Sequence, residues 1–395
     1  MSSDPIENSA ESAGGDSRAW LSRIVGWLPW LLGVLVVLIL FLPVLAKGLI
    51  GSGDTPQSMK PAFEFLMTTQ NRLMRFLGVV WIFFLGSCFA SFLNVVAWRI
   101  PRGGSINGSS HCPDCDQKLR FRDNTPIIGW IRNGGRCSNC RQPIPVRYLL
   151  VEVLLGSLFL VITRVELLSG GWNLPLRPID RFSGLEYLFL YPKLDLISLT
   201  VYHLTLICLL FTFALIKKES LKIPRRVWLV GLVFGFVMPL IWPTMTLVGW
   251  ELGQTETSVY MSRSLSQRGS FSQIMTLGLG LAAGIVLGLI LGRLRNGSEP
   301  EHPYVFQPTF IREEIAGLSL IGLFLGWQSA VSIFLFSAVL MLLVRVLRIR
   351  WSILGPSGCL LAATVLHLIC WRIVTDCPYW PSGKLGSFAT LIGVI

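Results

Sequence analysis

Apolar residues gather into long runs that short polar or basic stretches separate. The runs fall at about 24–46, 77–97, 148–163, 195–216, 227–248, 274–292, 315–328, 330–346 and 353–372. Most approach the roughly 20 residues that a helix needs to cross about 30 Å of hydrocarbon. The pattern predicts an all-α polytopic membrane protein of about nine transmembrane helices. Residues 1–23 are polar at their start and read as a disordered tail. Residues 24–76 read as an extra N-terminal transmembrane helix and its linker, since the apolar run is too long for a signal-peptide core. Residues 77–163 form an N-terminal domain, and residues 164–395 a polytopic membrane domain. Small residues in 274–292 favour close helix packing.

The polar loop 99–147 breaks this pattern. It carries two Cys-x-x-Cys pairs, Cys112/Cys115 and Cys137/Cys140, with 21 residues between them. Four thiolates at that spacing suit one tetrahedral Zn²⁺. A stretch so short of core residues would take its folding free energy from the metal. Two disulfides or four unrelated thiols are the other readings, and disulfides lose if the loop faces a reducing cytoplasm. Asp114 and Asp116 read as solvated residues of this knuckle. Cys88, Cys208, Cys359 and Cys370 sit in apolar runs and read as small buried hydrophobes; Cys377 says nothing.

Composition agrees with the membrane reading. Hydrophobic residues make up 52% and charged residues 14%, with a mean hydropathy of +0.61. The net charge of +12 raises the question of nucleic acid. The cations lie in loops beside apolar runs, which is how membrane helices are oriented, so no nucleic-acid partner is expected. Loop 99–147 holds nine Lys/Arg against three acids. Placing it in the cytoplasm also puts Lys217–Arg226, Arg293–Glu314 and Arg345/Arg348/Arg350 on that side.

A family likeness then emerges. Ala90-Ser91-Phe92-Leu93-Asn94-Val95-Val96, Arg99-Ile100-Pro101-Arg102-Gly103 and Ser110-His111-Cys112-Pro113-x-Cys115 resemble the N-terminal signature of the type IV prepilin peptidases. So do Asp123-Asn124-x-Pro126-Ile127-x-x-Trp130, Gly135-Arg136-Cys137-x-x-Cys140 and Pro145-x-Arg147-Tyr148-x-x-Val151-Glu152. Weaker likeness continues at Ile223-Pro224, Gly322-x-x-x-Gly326-Trp327-Gln328 and Ile353-x-Gly355-Pro356. The resemblance implies a bacterial inner-membrane enzyme with a cytoplasmic knuckle. It would cleave the leader of prepilins or pseudopilins in the lipid bilayer, and could N-methylate the new terminus with S-adenosylmethionine.

The family's proteolysis uses two Asp at helix ends that share a proton and activate water. This sequence departs at both positions. Alignment on Pro224 places Lys217 at the first, and alignment on Gly326 places Glu314 at the second. No Asp occurs from Leu196 to Thr375. The candidate catalytic residues are therefore Glu314, Lys217, Glu313 and Glu219, with an ion pair expected between Lys217 and Glu314. The competing reading makes these glutamates charges that a helix N-terminus favours. The functional alternative is a catalytically inactive relative that binds pilin-like subunits during assembly. Asn94 could bind a peptide backbone or simply bridge helices. Arg147 and Glu152 read as snorkelling anchors, and His203 and His367 as hydrogen-bonded packing residues.

Overall fold

The computed structural model describes residues 60–112, 114–180, 183–185, 188, 191–250, 270–296, 308–347 and 355–376. The tail 1–23, the first apolar run and Cys377 lie outside them. The chain divides into two units, Met1–Leu77 and Gly78–Ile395. In the first, the described part is helical from Lys60.

The described helices are α1 (Lys60–Arg99), α2 (Ile128–Arg132), α3 (Arg147–Glu166), α4 (Leu194–Lys218), α5 (Arg225–Ile241), α6 (Ser270–Asn296), α7 (Pro308–Leu325), α8 (Trp327–Val346) and α9 (Pro356–Asp376). No strand occurs among the described residues. All eight apolar runs that fall on them are helical, and six helices are long and apolar enough to cross a membrane: α1, α3, α4, α6, α8 and α9. Helix α5 has 17 residues, and α7 carries Arg312, Glu313 and Glu314 within 18 residues.

Several helix ends depart from the hydropathy pattern for local reasons. Helix α1 reaches back through the polar stretch before residue 77, because nothing between Pro61 and Gly78 breaks a helix and Pro is welcome in a first turn. Helix α5 stops at Ile241, where Pro243 opens a 3₁₀ turn, instead of running to 248. Helix α7 begins at Pro308, seven residues before the apolar run. Glu313 and Glu314 thus lie in its second turn, past the reach of the macrodipole. Gly326, at φ 87° and ψ 166°, parts α7 from α8. That backbone geometry excludes a side chain at little cost only for glycine.

Helix α4 is the centre of the bundle and packs on α3, α5, α7 and α9. Leu196, Leu199, Tyr202, Leu206, Ile207 and Leu210 on it are buried. Tyr202 stacks on Phe324 of α7, with ring centroids 4.3 Å apart, and donates to the Gly235 carbonyl of α5 at 2.8 Å. The tightest pairing is α6 against α7. A Cβ on Gly280 would lie 2.1 Å from the Gly322 carbonyl oxygen, one on Gly284 2.1 Å from that of Leu318, and one on Gly288 2.5 Å from the Ile315 Cα. The two backbones therefore touch along an antiparallel glycine stripe, the small-residue packing expected of 274–292.

Candidate functional site

The knuckle is built as two copies of one turn. In the first, the Cys112 N–H donates to the Gln117 carbonyl at 3.0 Å and the Asp116 N–H to that of Cys112 at 2.9 Å. In the second, the Cys137 N–H donates to Gln142 at 2.9 Å and Arg141 to Cys137 at 3.2 Å. Each turn closes on an isolated antiparallel bridge, His111 with Lys118 and Arg136 with Pro143. The residue after each second cysteine, Asp116 and Arg141, has a left-handed backbone at φ 51° and 60°.

Both turns aim their sulfurs at one point. The four Sγ atoms of Cys112, Cys115, Cys137 and Cys140 lie within 4.8 Å of one another, and those of Cys112 and Cys140 are 3.8 Å apart. All four are free thiols; a disulfide would need about 2.05 Å. The backbone N–H of Gln117 and the Asn139 amide hold the Cys115 thiol down at about 7. At Cys140 the Gln142 N–H acts the same way. Burial and the three neighbouring sulfurs outweigh it and push that thiol up to about 12. Four thiolates this close need a cation among them, so the donor set fits one metal ion.

The knuckle is fastened to the membrane helices by ionisable side chains. Arg99, the last residue of α1, donates to the carbonyls of Ser105, Asn107 and Ser109 at 3.5, 3.3 and 3.0 Å. Asp123 accepts from Arg132 and Asn133 at 3.1 and 3.0 Å and from Ser138 at 3.0 Å. Burial works against its charge, but the Asn133, Ser138 and Arg132 donors prevail and hold its carboxyl below the ordinary range. Trp130 of α2 donates to the Ile144 carbonyl at 3.2 Å, under the second turn. Glu152 of α3 is buried and accepts the Ile127 N–H at 2.8 Å. It is a tether for the loop, not the snorkelling anchor its place at a helix entry suggests, because that N–H needs a partner where Ile127 turns at φ 62°.

The candidate catalytic residues gather at the same end of the bundle, though not all at one point. Lys217, in the last turn of α4, places its Nζ 2.7 Å from Oε1 of Glu313. The sequence reading expected this partner to be Glu314. Glu313 and Glu314 are both buried, and Glu314 lies within electrostatic reach of Cys359. Glu219, the C-cap of α4, turns the other way. It forms an ion pair with Arg147 and lies 4.0 Å from Arg102. Asn94, Trp98, Arg147, Leu215 and Glu219 line a small pocket between the knuckle-side ends of α1, α3 and α4. The Asn94 Nδ2 is buried there without a hydrogen-bond partner.

One ionisable group escaped sequence reasoning. Glu166, the last residue of α3, is fully buried and meets the fully buried His203 Nδ1 at 2.8 Å. An acid closing an apolar run was the available signal. Asp180 and Asp195 lie at the far end, where Asp180 pairs with Lys193 and Asp195 with Arg177. The 22 residue steps from Asp195 to Lys217 along α4 separate the ends by about 33 Å.

Residues 84–165 match the model of the bacterial peptidase A24 N-terminal domain. The chain is 35% identical over 181 residues to a prepilin leader peptidase/N-methyltransferase of Myxococcus xanthus, covering 46% of this chain and 51% of that protein. It is 38% identical over 108 residues to a type 4 prepilin-like proteins leader peptide-processing enzyme of Escherichia coli, covering 22% of this chain and 40% of that protein. A prepilin leader peptidase/N-methyltransferase of Klebsiella pneumoniae is 39% identical over 93 residues, 22% of this chain and 41% of that protein. The chain thus spans about half the length, or less, of these relatives. No solved structure matches it. Residues 84–165 are thus similar to the bacterial peptidase A24 N-terminal domain, and the relatives that the chain matches in part are prepilin leader peptidases.

Proposed function

We propose that this chain processes the N-termini of prepilins or pseudopilins at the cytoplasmic face of a bacterial inner membrane. One observation carries the reading. Glu219 joins the knuckle side, through Arg147 and Arg102, to the end of α4, two residues from the Lys217–Glu313 pair. The matched domain and a buried carboxylate therefore share one end of the bundle. Zinc is the metal that suits the knuckle. Four sulfurs about 2.3 Å from a tetrahedral zinc stand about 3.8 Å apart, the spacing found between Cys112 and Cys140. All four positions would be taken by protein, so zinc would hold the two turns together and leave the chemistry to other residues.

In this reading Glu313 accepts a proton from the attacking water. Lys217 pairs with that carboxylate at 2.7 Å and offers positive charge to the oxyanion that forms. Glu314, one residue on, is the second acid available on α7. Glu219 serves as a tether. Methyl transfer rests on the N-methyltransferase activity for which the relatives are named, S-adenosylmethionine on the resemblance alone, and no residue is assigned to either.

The pairing of Lys217 with Glu313 also favours a second reading, in which the chain binds pilin-like subunits without cutting them. An ammonium cannot share a proton with a carboxylate as a second acid does. The test is leader removal from a co-expressed prepilin. The enzymatic reading expects cleavage by the wild type and a loss of at least about 100-fold in Glu313→Gln. Cleavage that survives in both Glu313→Gln and Glu314→Gln would place the active site elsewhere. A wild type that retains prepilin on pull-down but leaves the leader intact would select the binding reading.

A further inference from the structure

A groove of about 410 Å³ opens between the ends of α5 and α7, lined by Lys222, Ile223, Arg225, Trp228, Arg312 and Glu313 among others. Its charge is unusual for a site built on acids. Glu313 is buried and has Lys217 at 2.7 Å, so that carboxylate is offset. Lys222, Arg225 and Arg312 remain, all three exposed, and none of them forms an ion pair with a described residue. Two separate elements thus bring three uncompensated cations to one opening. Had Lys217 been an acid, the same groove would be close to neutral.

The walls below the cations are apolar. Ile223, Ile315 and Ala316 line the groove. The Trp228 indole N–H is taken by the Ser319 hydroxyl at 3.1 Å, so the ring presents its hydrocarbon face. Beneath Arg225, helix α5 leaves Leu229, Val230, Val233, Phe236 and Val237 exposed. These positions form a continuous stripe at helical spacing. A cationic mouth therefore opens onto an apolar track that runs down the helix.

We propose that this groove is a binding site for an anionic phospholipid, with the phosphate among Lys222, Arg225 and Arg312 and an acyl chain along α5. A free phosphate would use the mouth and ignore the track, whereas a phospholipid satisfies both. Basic pockets between helices at a membrane surface hold anionic headgroups by the same physics. The inference does not depend on the peptidase reading.

The experiment titrates the delipidated full chain in detergent with phosphatidylglycerol, phosphatidylcholine, or inorganic phosphate. Retained lipid is counted by native mass spectrometry, and stability is followed by thermal unfolding. Phosphatidylglycerol should bind and raise the melting temperature at concentrations where the other two do nothing. The triple variant Lys222→Gln/Arg225→Gln/Arg312→Gln should bind it on the order of 100-fold more weakly, at about tenfold or less per cation removed. The knuckle variant Lys118→Gln/Arg120→Gln/Arg122→Gln, with the same loss of charge, should bind as the wild type does. If the triple variant does not fold, Arg312→Gln alone should weaken binding about fivefold. Equal binding of phosphatidylcholine, equal protection by inorganic phosphate, or full binding by the groove variants would overturn the proposal.

Discussion

Glu166 and His203 meet at 2.8 Å with neither side chain exposed, deep among helices that face lipid. Nearby, His367 Nδ1 lies 3.0 Å from the Ser332 hydroxyl, and the Trp371 ring stands 5.6 and 5.4 Å from the two imidazoles. The sequence marked both histidines as hydrogen-bonded packing residues, and they are. It did not show that His203 answers an acid 37 positions earlier, since nothing local links the two. Removing one partner of such a pair leaves a polar or charged group buried alone. Glu166→Ala and His203→Ala should each cost about 3–5 kcal/mol of stability, measured by unfolding in detergent. Glu166→Gln keeps a hydrogen bond and should cost less. Wild-type melting in both alanine variants would show that the contact contributes nothing. The same logic explains why Lys217 was legible and its partner was not. Glu313 and Glu314 are adjacent, and only the rotation of α7 about its axis decides which of them faces α4.

Among the elements, the knuckle was the most legible. Cysteine spacing forces two tight turns whatever the rest of the chain does, and the structure repeats the same hydrogen bonds in both copies. Purified protein should contain one zinc per chain by elemental analysis, and Cys112→Ser combined with Cys137→Ser should abolish it. Cys112–Cys115 or Cys137–Cys140 disulfides in freshly isolated membranes would refute this. Helix existence was equally plain from hydropathy, whereas helix ends were not. Charged residues before an apolar run look like a loop, yet Arg312, Glu313 and Glu314 are helical because α6 supplies a partner surface for α7. The helix that hydropathy overextended, α5, stops where Pro243 removes an N–H donor. Tertiary pairing and backbone chemistry settled the boundaries that apolar content left open.

At the scale of the molecule, the structure separates two polar ends. One holds the knuckle, Glu219 and the Lys217–Glu313 pair; the other holds Asp180, Lys193, Asp195 and Arg177. The excess of cations on the knuckle side predicts that this end faces the cytoplasm. Ser110→Cys and Ser220→Cys should therefore resist a membrane-impermeant thiol reagent in intact cells, while Tyr191→Cys should react. Labelling of Ser110→Cys from outside would invert the topology. The glycine stripe between α6 and α7 has a consequence for how the chain enters the bilayer. Helix α7 carries three ionisable residues in its first turns, and each would be penalised by roughly 2.5–3.5 kcal/mol if it reached the middle of a helix inserting alone. Helix α6 carries its ionisable residues, Arg293 and Arg295, only at its very end and offers a bare backbone stripe. The two are therefore suited to leave the translocation channel as one hairpin, with α6 shielding its successor during biogenesis. A bulky residue at Gly284 would then be felt first as failed insertion of α7, before any defect in the finished protein.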